Sequence, residues 1–184
     1  MKTWVVDPDH SVAAFSIRHM MIAQVRGQFN KIEGSVSFDP ADISGSSVEL
    51  TIDASSVLTG VGKRDAHLMS ADFLDTDKYP VISFKSSHIQ ALAPGRGLVT
   101  GDLTLHGVTR IITVEVSYTA PVKDPFGDGL SMGFAMAATL NREDYGITWN
   151  QPMPDFGVML GHKVELLIDL EADFETNLAS DQTV

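Results

Sequence analysis

The stretch RDAHLMSADFLDTDKYPVISF, residues 64–84, decides the fold, because almost every other segment of the chain has the pattern of a β-strand. Residues 63–70 can form about two helical turns, and a polar turn follows at residues 75–78. Tyr79 precedes a proline and must be extended, after which a strand resumes. A single short helix in a β chain most often covers the open end of a barrel or the edge of a sheet. We therefore predict a helical insertion around residues 62–74 that closes one end of a barrel.

Outside this stretch, apolar and polar residues alternate with the period of two that is typical of strands with one dry face. Turn signals such as Pro94-Gly95 and His106-Gly107 separate roughly eight or nine such strands. Residues 164–174 would span about 35 Å, at ~3.3 Å per residue. Long one-sided strands in consecutive order favour an antiparallel barrel over a sandwich of short strands. We predict one domain over residues 1–175, followed by a polar tail at residues 176–184.

Composition excludes several classes of function. The chain has 184 residues, of which 43% are hydrophobic, and 13 Lys and Arg against 24 Asp and Glu give a net charge of −11. This charge argues against a nucleic-acid or anionic-membrane partner. There is no cysteine, and no run approaches the roughly 20 apolar residues that span a bilayer, so we predict no stable membrane insertion. The N-terminal sequence MKTWVVDPDHS does not have the pattern of a secretory signal peptide, which predicts a cytoplasmic protein.

Motifs of catalysis and metal binding are missing from the sequence. None of the six histidines has the spacing of a known metal site, and no GxSxG, GxGxxG or GxxxxGK[ST] motif is present. The acidic residues at positions 72, 75 and 77 belong to the polar turn, where solvated carboxylates are ordinary. We therefore predict no catalytic residue, no metal and no cofactor.

Polar residues at strand ends suggest a rim with positive charge. His19 continues the dry face of Phe15 and Ile17, and Arg142 continues the dry face of Met136. An apolar interior with cationic groups at its mouth suits an amphiphile with a polar or anionic head. Two simpler interpretations stay open: the dry faces form only a packed core, and Arg142 pairs with Asp144 to brace the fold.

Five segments together resemble a known family. In chain order they are residues 4–20, 25–40, 64–84, 101–116 and 140–150, with the sequences WVVDPDHSVAAFSIRHM, VRGQFNKIEGSVSFDP, RDAHLMSADFLDTDKYPVISF, GDLTLHGVTRIITVEV and LNREDYGITWN. They are similar to the successive motifs of the YceI-like family. The resemblance implies an extended, lipocalin-like barrel, often dimeric, whose long apolar pore holds a polyisoprenoid or a related lipid such as an isoprenoid quinone. Members are thought to carry or store such lipids, and no established catalytic activity comes with the resemblance.

These inferences combine into an all-β fold: an extended, lipocalin-like, antiparallel eight-stranded β-barrel that binds, stores or transports an isoprenoid lipid and forms a homodimer. Many relatives carry a secretion signal and are periplasmic, a location that we do not transfer to this chain. The family's ligand contacts lie along the barrel interior. The corresponding residues, together with candidates at the rim, are Phe15, Ile17, His19, Phe29, Val36, Phe38, Phe73, Phe84, Leu103, Val114, Met132, Phe134, Met136, Arg142, Trp149 and Ile168.

Two alternatives remain. The first is an enzyme of isoprenoid or other hydrophobic-substrate metabolism that uses His19, His67 and Arg64 at the rim. The second is an interaction module without a ligand, such as a dimer that presents its acidic outer surface to a partner. Arg64 and His67 either face a ligand or tie the insertion to the rim, and the neighbouring Asp65 favours the structural role for Arg64.

Overall fold

The computed structural model describes residues 1–39, 42–125, 128–154 and 157–174, so the predicted tail at residues 176–184 lies outside the described residues. One α-helix, α1 (Gly62–Met69), interrupts a chain of strands. The strands are β1 (Lys2–His19), β2 (Ala23–Phe29), β3 (Ile32–Phe38), β4 (Ser47–Asp53), β5 (Val57–Leu58), β6 (Val81–Ala93), β7 (Arg96–Leu105), β8 (Val108–Tyr118), β9 (Val122–Lys123), β10 (Leu130–Asn141), β11 (Pro152–Met153), β12 (Gly157–Val158) and β13 (Leu160–Phe174).

Eight of these strands form a closed antiparallel barrel, which confirms the predicted fold. The order around the barrel is β1, β3, β4, β6, β7, β8, β10 and β13, and β13 pairs with β1 to complete the circle. β2 lies beside the second half of β1 and continues the position of β3 along the barrel axis. No helix in the described part of the chain is long and apolar enough to cross a membrane.

The first strand is longer than the sequence pattern predicts. The alternation indicated a strand from Val12, whereas β1 begins at Lys2. The difference arises at a β-bulge, where the register with β13 shifts between Asp7 and Val12. Pro8 has no N–H to donate to the ladder, and a bulge is one of the few places in a sheet that tolerates a proline. The sequence Asp-Pro-Asp therefore bends the strand without ending it.

Side chains replace the missing ladder bonds at this bulge. Asp7 Oδ1 accepts from the backbone N–H of Asp9 at 2.8 Å, and Asp7 Oδ2 lies 2.6 Å from His10 Nδ1. Ser11 Oγ accepts from the N–H of Glu171 at 3.1 Å and donates to its carbonyl oxygen at 3.3 Å. The hydrogen bond to Asp7 is the main cause that raises the pKa of His10 above 6.5, and it lowers the pKa of Asp7 below 3.8. The contribution of this pair to the stability of the bulge therefore depends on pH.

The two ends of the barrel differ. At one end, which we call the Trp4 end, side chains of β1, β3, β10 and β13 form a dense cluster of Trp4, Val36, Phe38, Met132 and Ala172, each no more than 5% exposed. The opposite end, which we call the α1 end, is covered by α1 and by the segments that flank it. Phe73, in the turn after the helix, is 8% exposed, and Leu68 of the helix faces the interior. The insertion therefore closes an end of the barrel, as predicted.

The turn between β1 and β2 has an unusual backbone. Its two central residues, Met20 and Met21, have positive φ angles of 51° and 58°. Ile22 N–H closes the turn on the carbonyl oxygen of His19 at 3.0 Å. Residues with a Cβ pay a steric cost in this region, and hairpin turns of this kind strongly prefer Asn-Gly. The turn therefore lowers the stability of the fold, and it places two methionines at the α1 end of the barrel.

Replacing Met20 and Met21 together by Asn and Gly should raise the free energy of unfolding by about 1 kcal/mol, because the strained conformation is relieved. Chemical denaturation monitored by circular dichroism measures the change. Ile22→Asn is the matched control: it alters an exposed neighbour whose φ is not positive and should change stability little. A double variant that is no more stable than the parent would show that the turn carries no strain.

Asp7→Asn should lower the pKa of His10 towards 6.5, which NMR titration of the imidazole measures. The raised pKa of His10 stabilises the fold below its ordinary value of 6.5, and this contribution is lost as pH rises through the higher folded value. The lowered pKa of Asp7 stabilises it above 3.8, and this is lost as pH falls. The parent should therefore have a higher free energy of unfolding than the variant, and this difference should be larger at about pH 5 than at about pH 9. Asp9→Asn should shift the His10 pKa less, and an unchanged pKa in Asp7→Asn would refute the pairing.

Candidate functional site: an apolar cavity along the barrel

The interior of the barrel contains a cavity in two parts. The larger part has a volume of about 400 Å³ and lies at the α1 end, and the smaller part, of about 110 Å³, lies towards the Trp4 end. The two parts are adjacent because they share lining residues, namely Ile52, Ile82, Leu103, Leu166 and Ile168. The larger part alone falls within the range of roughly 300–1,000 Å³ that is usual for ligand pockets.

Alternation along the strands makes this cavity apolar. Phe15 and Ile17 of β1, Leu140 of β10, and Val164 and Ile168 of β13 point inward at every second position. The titratable side chains that line the larger part all lie at the α1 end of the barrel: His19, Arg64, His67 and Arg142. The interior is therefore an elongated apolar space with polar groups at one end.

Three rings cover the α1 end. His67 of α1 stacks edge-on against Phe73 and against Trp149, with ring centroids 4.9 Å apart in both pairs. Phe73 and Trp149 are 5.2 Å apart. His67 Nε2 also lies 2.8 Å from Asp72 Oδ2, which orients the imidazole. This aromatic cover, made of His67, Phe73 and Trp149, separates the cavity from solvent at the mouth of the barrel.

Arg64 has a structural role beside the same part of the cavity. Its Nε donates to Thr59 Oγ1 at 2.7 Å and its Nη2 donates to the Thr59 carbonyl oxygen at 3.0 Å. The buried carboxylate of Asp65 accepts from the N–H of Thr59 at 2.9 Å and from its hydroxyl. Both charged residues thus hold the start of α1 to the preceding loop, which supports the structural interpretation of Arg64.

Arg142 is the most deeply buried charge of the site. It begins a 3₁₀ turn (Arg142–Tyr145) directly after β10 and is only 3% exposed. Its Nε donates to the carbonyl oxygen of Gly161 at 3.0 Å, and its Nη1 donates to those of Ile147 and Trp149 at 2.7 and 2.9 Å. Its Nη2 is buried and has no hydrogen-bond partner among the described residues. Burial lowers the pKa of Arg142 from its usual value of 12.5, because desolvation penalises the charged form.

The expected alternative for Arg142, a pair with Asp144, is wrong. None of the hydrogen bonds and ion pairs in the described parts of the chain joins Arg142 to Asp144. The guanidinium instead holds backbone carbonyls of the segment that follows the 3₁₀ turn. Asp144 contributes its own carbonyl oxygen to Arg110 Nε at 2.6 Å, on the outer side of the barrel.

The 3₁₀ turn also contributes to the core. β8 and β10 pair over only three residues each, Val116–Tyr118 and Phe134–Met136. Tyr145 is 2% exposed and belongs to the core cluster against which Val108 of β8 and Leu140 of β10 pack. Burial raises the pKa of its hydroxyl. The turn that buries Arg142 therefore also adds an aromatic ring to the core.

Comparison with known proteins identifies the family. The family model described as the YceI-like domain matches residues 4–172, which is nearly the whole chain. The chain belongs to the YceI-like family. This agrees with the resemblance seen in the sequence motifs.

Curated relatives of this YceI-like protein include UPF0312 proteins. One from Staphylococcus aureus strain N315 is 35% identical over 165 residues, which cover 90% of this chain and 94% of the relative. One from Vibrio cholerae serotype O1 is 38% identical over 138 residues, which cover 75% of this chain and 72% of the relative.

Solved structures share the barrel. Burkholderia cenocepacia BcnA superposes with a TM-score of 0.80 at 24% identity, covering 90% of this chain and 98% of BcnA. A polyisoprenoid binding domain from Saccharophagus degradans, implicated in plant cell wall breakdown, superposes with a TM-score of 0.70 at 17% identity. That likeness covers 95% of this chain and the whole of the other. At these identities both comparisons establish the fold of this YceI-like protein.

Most residues that the sequence nominated for the ligand line the cavity. At the α1 end these are Phe15, Ile17, His19, Phe29, Phe73, Leu103, Arg142, Trp149 and Ile168. Towards the Trp4 end they are Val36, Phe38, Phe84, Val114, Phe134 and Met136. Met132 lines neither part, because the Trp4 cluster surrounds it and leaves it 1% exposed. Ligand contact by the others stays a prediction that their position favours.

Several lining residues are absent from the predicted ligand contacts. Ile147 and Met159 come from the irregular segment between β10 and β13, which has no periodic pattern to reveal a facing direction. Leu160 begins β13, ahead of the strand that the alternation indicated from Val164. Tyr118 is the last residue of β8, where the alternation of apolar residues ends. Leu166 lies on the same dry face of β13 as Ile168, although only Ile168 is among the predicted contacts.

Met136→Arg should abolish lipid uptake or unfold the protein, because it places an unpaired charge in the apolar cavity, at a cost of about 3 kcal/mol or more. Ala137→Arg is the matched control: the adjacent residue of β10 is exposed and should accept the same side chain. Thermal unfolding and lipid content after purification measure both effects. Unchanged lipid loading in Met136→Arg would mean that this residue does not face a bound ligand.

Proposed function

We propose that this YceI-like protein binds a long-chain isoprenoid lipid, of the polyprenyl or isoprenoid quinone type, or a similar amphiphile, inside the barrel, and that it stores or transports this lipid. The observation that carries the proposal is the unfilled apolar cavity along the barrel axis. Side chains fill the Trp4 end to the density of a core, whereas at the α1 end they surround a space of about 400 Å³. A protein without a ligand would gain by packing this space.

The physical chemistry of the cavity suits a single flexible chain. Each methylene transferred from water to an apolar environment gains about 0.8 kcal/mol, so several isoprene units provide a large gross driving force. Ordering the lipid chain and opening the aromatic cover cost part of this free energy. The affinity is therefore well below the value calculated from the buried apolar area. The two adjacent parts of the cavity, which meet at inward residues such as Leu103 and Ile168, suit one extended tail that reaches from the larger part into the smaller.

Family membership supports the same proposal. The YceI-like fold is that of a binding protein, and the solved Saccharophagus domain of this fold is described as polyisoprenoid-binding. Storage and transport are therefore natural roles for the cavity. The predicted homodimer and the predicted cytoplasmic location stay predictions.

An enzymatic role has one observation in its favour. His67 is oriented by Asp72 at 2.8 Å and lines the cavity, as a general base would. Arg64, the second residue of that hypothesis, is instead held by Thr59. We therefore propose a binding function without catalysis. Turnover of an isoprenoid substrate that survives purification and disappears in His67→Ala would overturn this choice.

Ile168→Trp tests the binding function, because Ile168 lies where the two parts of the cavity meet. The larger side chain should block the passage and reduce co-purified lipid strongly, at a stability cost of about 1–3 kcal/mol from overpacking. Leu167→Trp is the matched control, since Leu167 is 51% exposed on the outer face of the same strand and should leave lipid loading unchanged. Native mass spectrometry and solvent extraction measure the bound lipid.

Two results would contradict the proposed function. The first is a parent protein that remains lipid-free through repeated preparations and after incubation with isoprenoid lipids. The second is equal lipid loading in the parent and in a folded Ile168→Trp variant, which would place the lipid outside the cavity.

A further inference from the structure

We propose that Arg142 binds the head group of the lipid, that this head group carries an anionic oxygen of a carboxylate or a phosphate, and that the lipid therefore lies with its head at the α1 end. This inference rests on the proposed function and adds to it the chemistry and the direction of the ligand. Its basis is the hydrogen bonding and the charge of a single buried side chain.

Two of the three nitrogens of the Arg142 guanidinium are hydrogen-bonded to the protein, and the third has no acceptor among the described residues. Nε and Nη1 donate to three carbonyl oxygens, those of Gly161, Ile147 and Trp149, at distances of 2.7 to 3.0 Å. These bonds hold the planar guanidinium rigidly, so little side-chain conformational entropy is lost when a ligand binds to it. Nη2 remains buried without an acceptor among the described residues, although Arg142 lines the larger part of the cavity. Nη2 itself exposes almost no surface, so neighbouring side chains shift when a ligand acceptor reaches it. A buried N–H without a partner costs about 1–3 kcal/mol, which this acceptor recovers.

The charge of Arg142 has no hydrogen-bonded counter-ion among the described residues. Its three partners are neutral carbonyls, and none of its hydrogen bonds within the described residues goes to a carboxylate. The neighbouring Glu143 attracts the guanidinium only through space, since it is exposed and its carboxylate pairs with His162 at 2.9 Å. Buried charges in proteins are ordinarily paired, and a carboxylate or phosphate is the natural partner of a guanidinium. A ligand with an anionic head would complete this pair.

The other polar residues at the α1 end are less available. Nε and Nη2 of Arg64 are bound to Thr59, and His67 is bound to Asp72. His19 lines the same part of the cavity, and its side chain makes no hydrogen bond to the other described residues, so its imidazole can serve as a second donor. Because Arg142 lies at the α1 end and the narrower part extends from it towards Trp4, a head at Arg142 directs the tail along the barrel axis.

Three ligands with one tail and different heads test this inference: geranylgeranoic acid, geranylgeranyl phosphate and the neutral alcohol geranylgeraniol. Their affinities for the full chain are measured by competition with a fluorescent fatty acid. The two anions should bind the parent at least about tenfold more tightly than the alcohol. If only one anion shows this preference, it identifies carboxylate or phosphate as the head group that the site accepts.

Arg142→Gln should remove the preference for the anions and change the affinity for the alcohol by less than about twofold. Arg142→Lys retains the charge without the fork and should keep part of the preference, and it also serves if the glutamine variant does not fold. Arg26→Gln is the matched control, because Arg26 is exposed on β2 and lines neither part of the cavity, and it should leave the ratio of affinities unchanged.

The outcomes separate the two proposals. Equal binding of all three ligands by the parent protein would overturn the role of Arg142 and leave the binding function intact. A preference that persists in Arg142→Gln, or disappears in Arg26→Gln, would also overturn it. If none of the three ligands binds to the parent, the proposed function itself fails.

Discussion

Pairing of the first strand with the last is the constraint on which the rest of this molecule depends. β1 and β13 are joined along their length, from Val5 opposite Asp173 to His19 opposite Leu160. This ladder closes the sheet, so the dry faces of eight strands point at one another. The bulge at Asp7 and the hydrogen bonds of Ser11 keep the two strands together where the register changes.

A closed barrel of eight strands leaves an interior that side chains can nearly fill. In this molecule they fill it at one end only. Trp4 and its neighbours pack the first end, where Met132 is 1% exposed. At the other end α1, Phe73 and Trp149 cover the space without occupying it, and the cavity remains between them. Because one end is packed and the other is only covered, the two ends of the interior are not equivalent for a ligand.

The sequence predicted the parts of this structure that follow a regular period. Alternation placed Phe15, Ile17 and Ile168 inside the barrel, and the interruption around residues 62–74 located the only α-helix in the described part of the chain. Family motifs added what alternation could not, namely the expectation of a lipid. Where local patterns were irregular, prediction stopped.

The failures have physical reasons. Asp-Pro-Asp near the start of β1 has the composition of a strand break, and only long-range pairing with β13 keeps it in the sheet. Met132 shares the inward face of Met136, but its depth depends on the distant Trp4. Ile147 and Met159 lie in segments without periodicity. The unpartnered nitrogen of Arg142 depends on which carbonyl oxygens surround it, and no sequence pattern specifies that arrangement.

Arg142 matters both to the fold and to the proposed function. Its guanidinium holds the segment after β10 in place, and its Nη2 has no acceptor among the described residues. The most direct test is a crystal structure of the full chain with geranylgeranoic acid. We expect continuous density along the barrel axis, with the carboxylate within hydrogen-bonding distance of Arg142 Nη2 and the tail directed towards Trp4. Density only on the outer surface, or an interior filled by the protein's own side chains, would contradict a lipid-binding cavity.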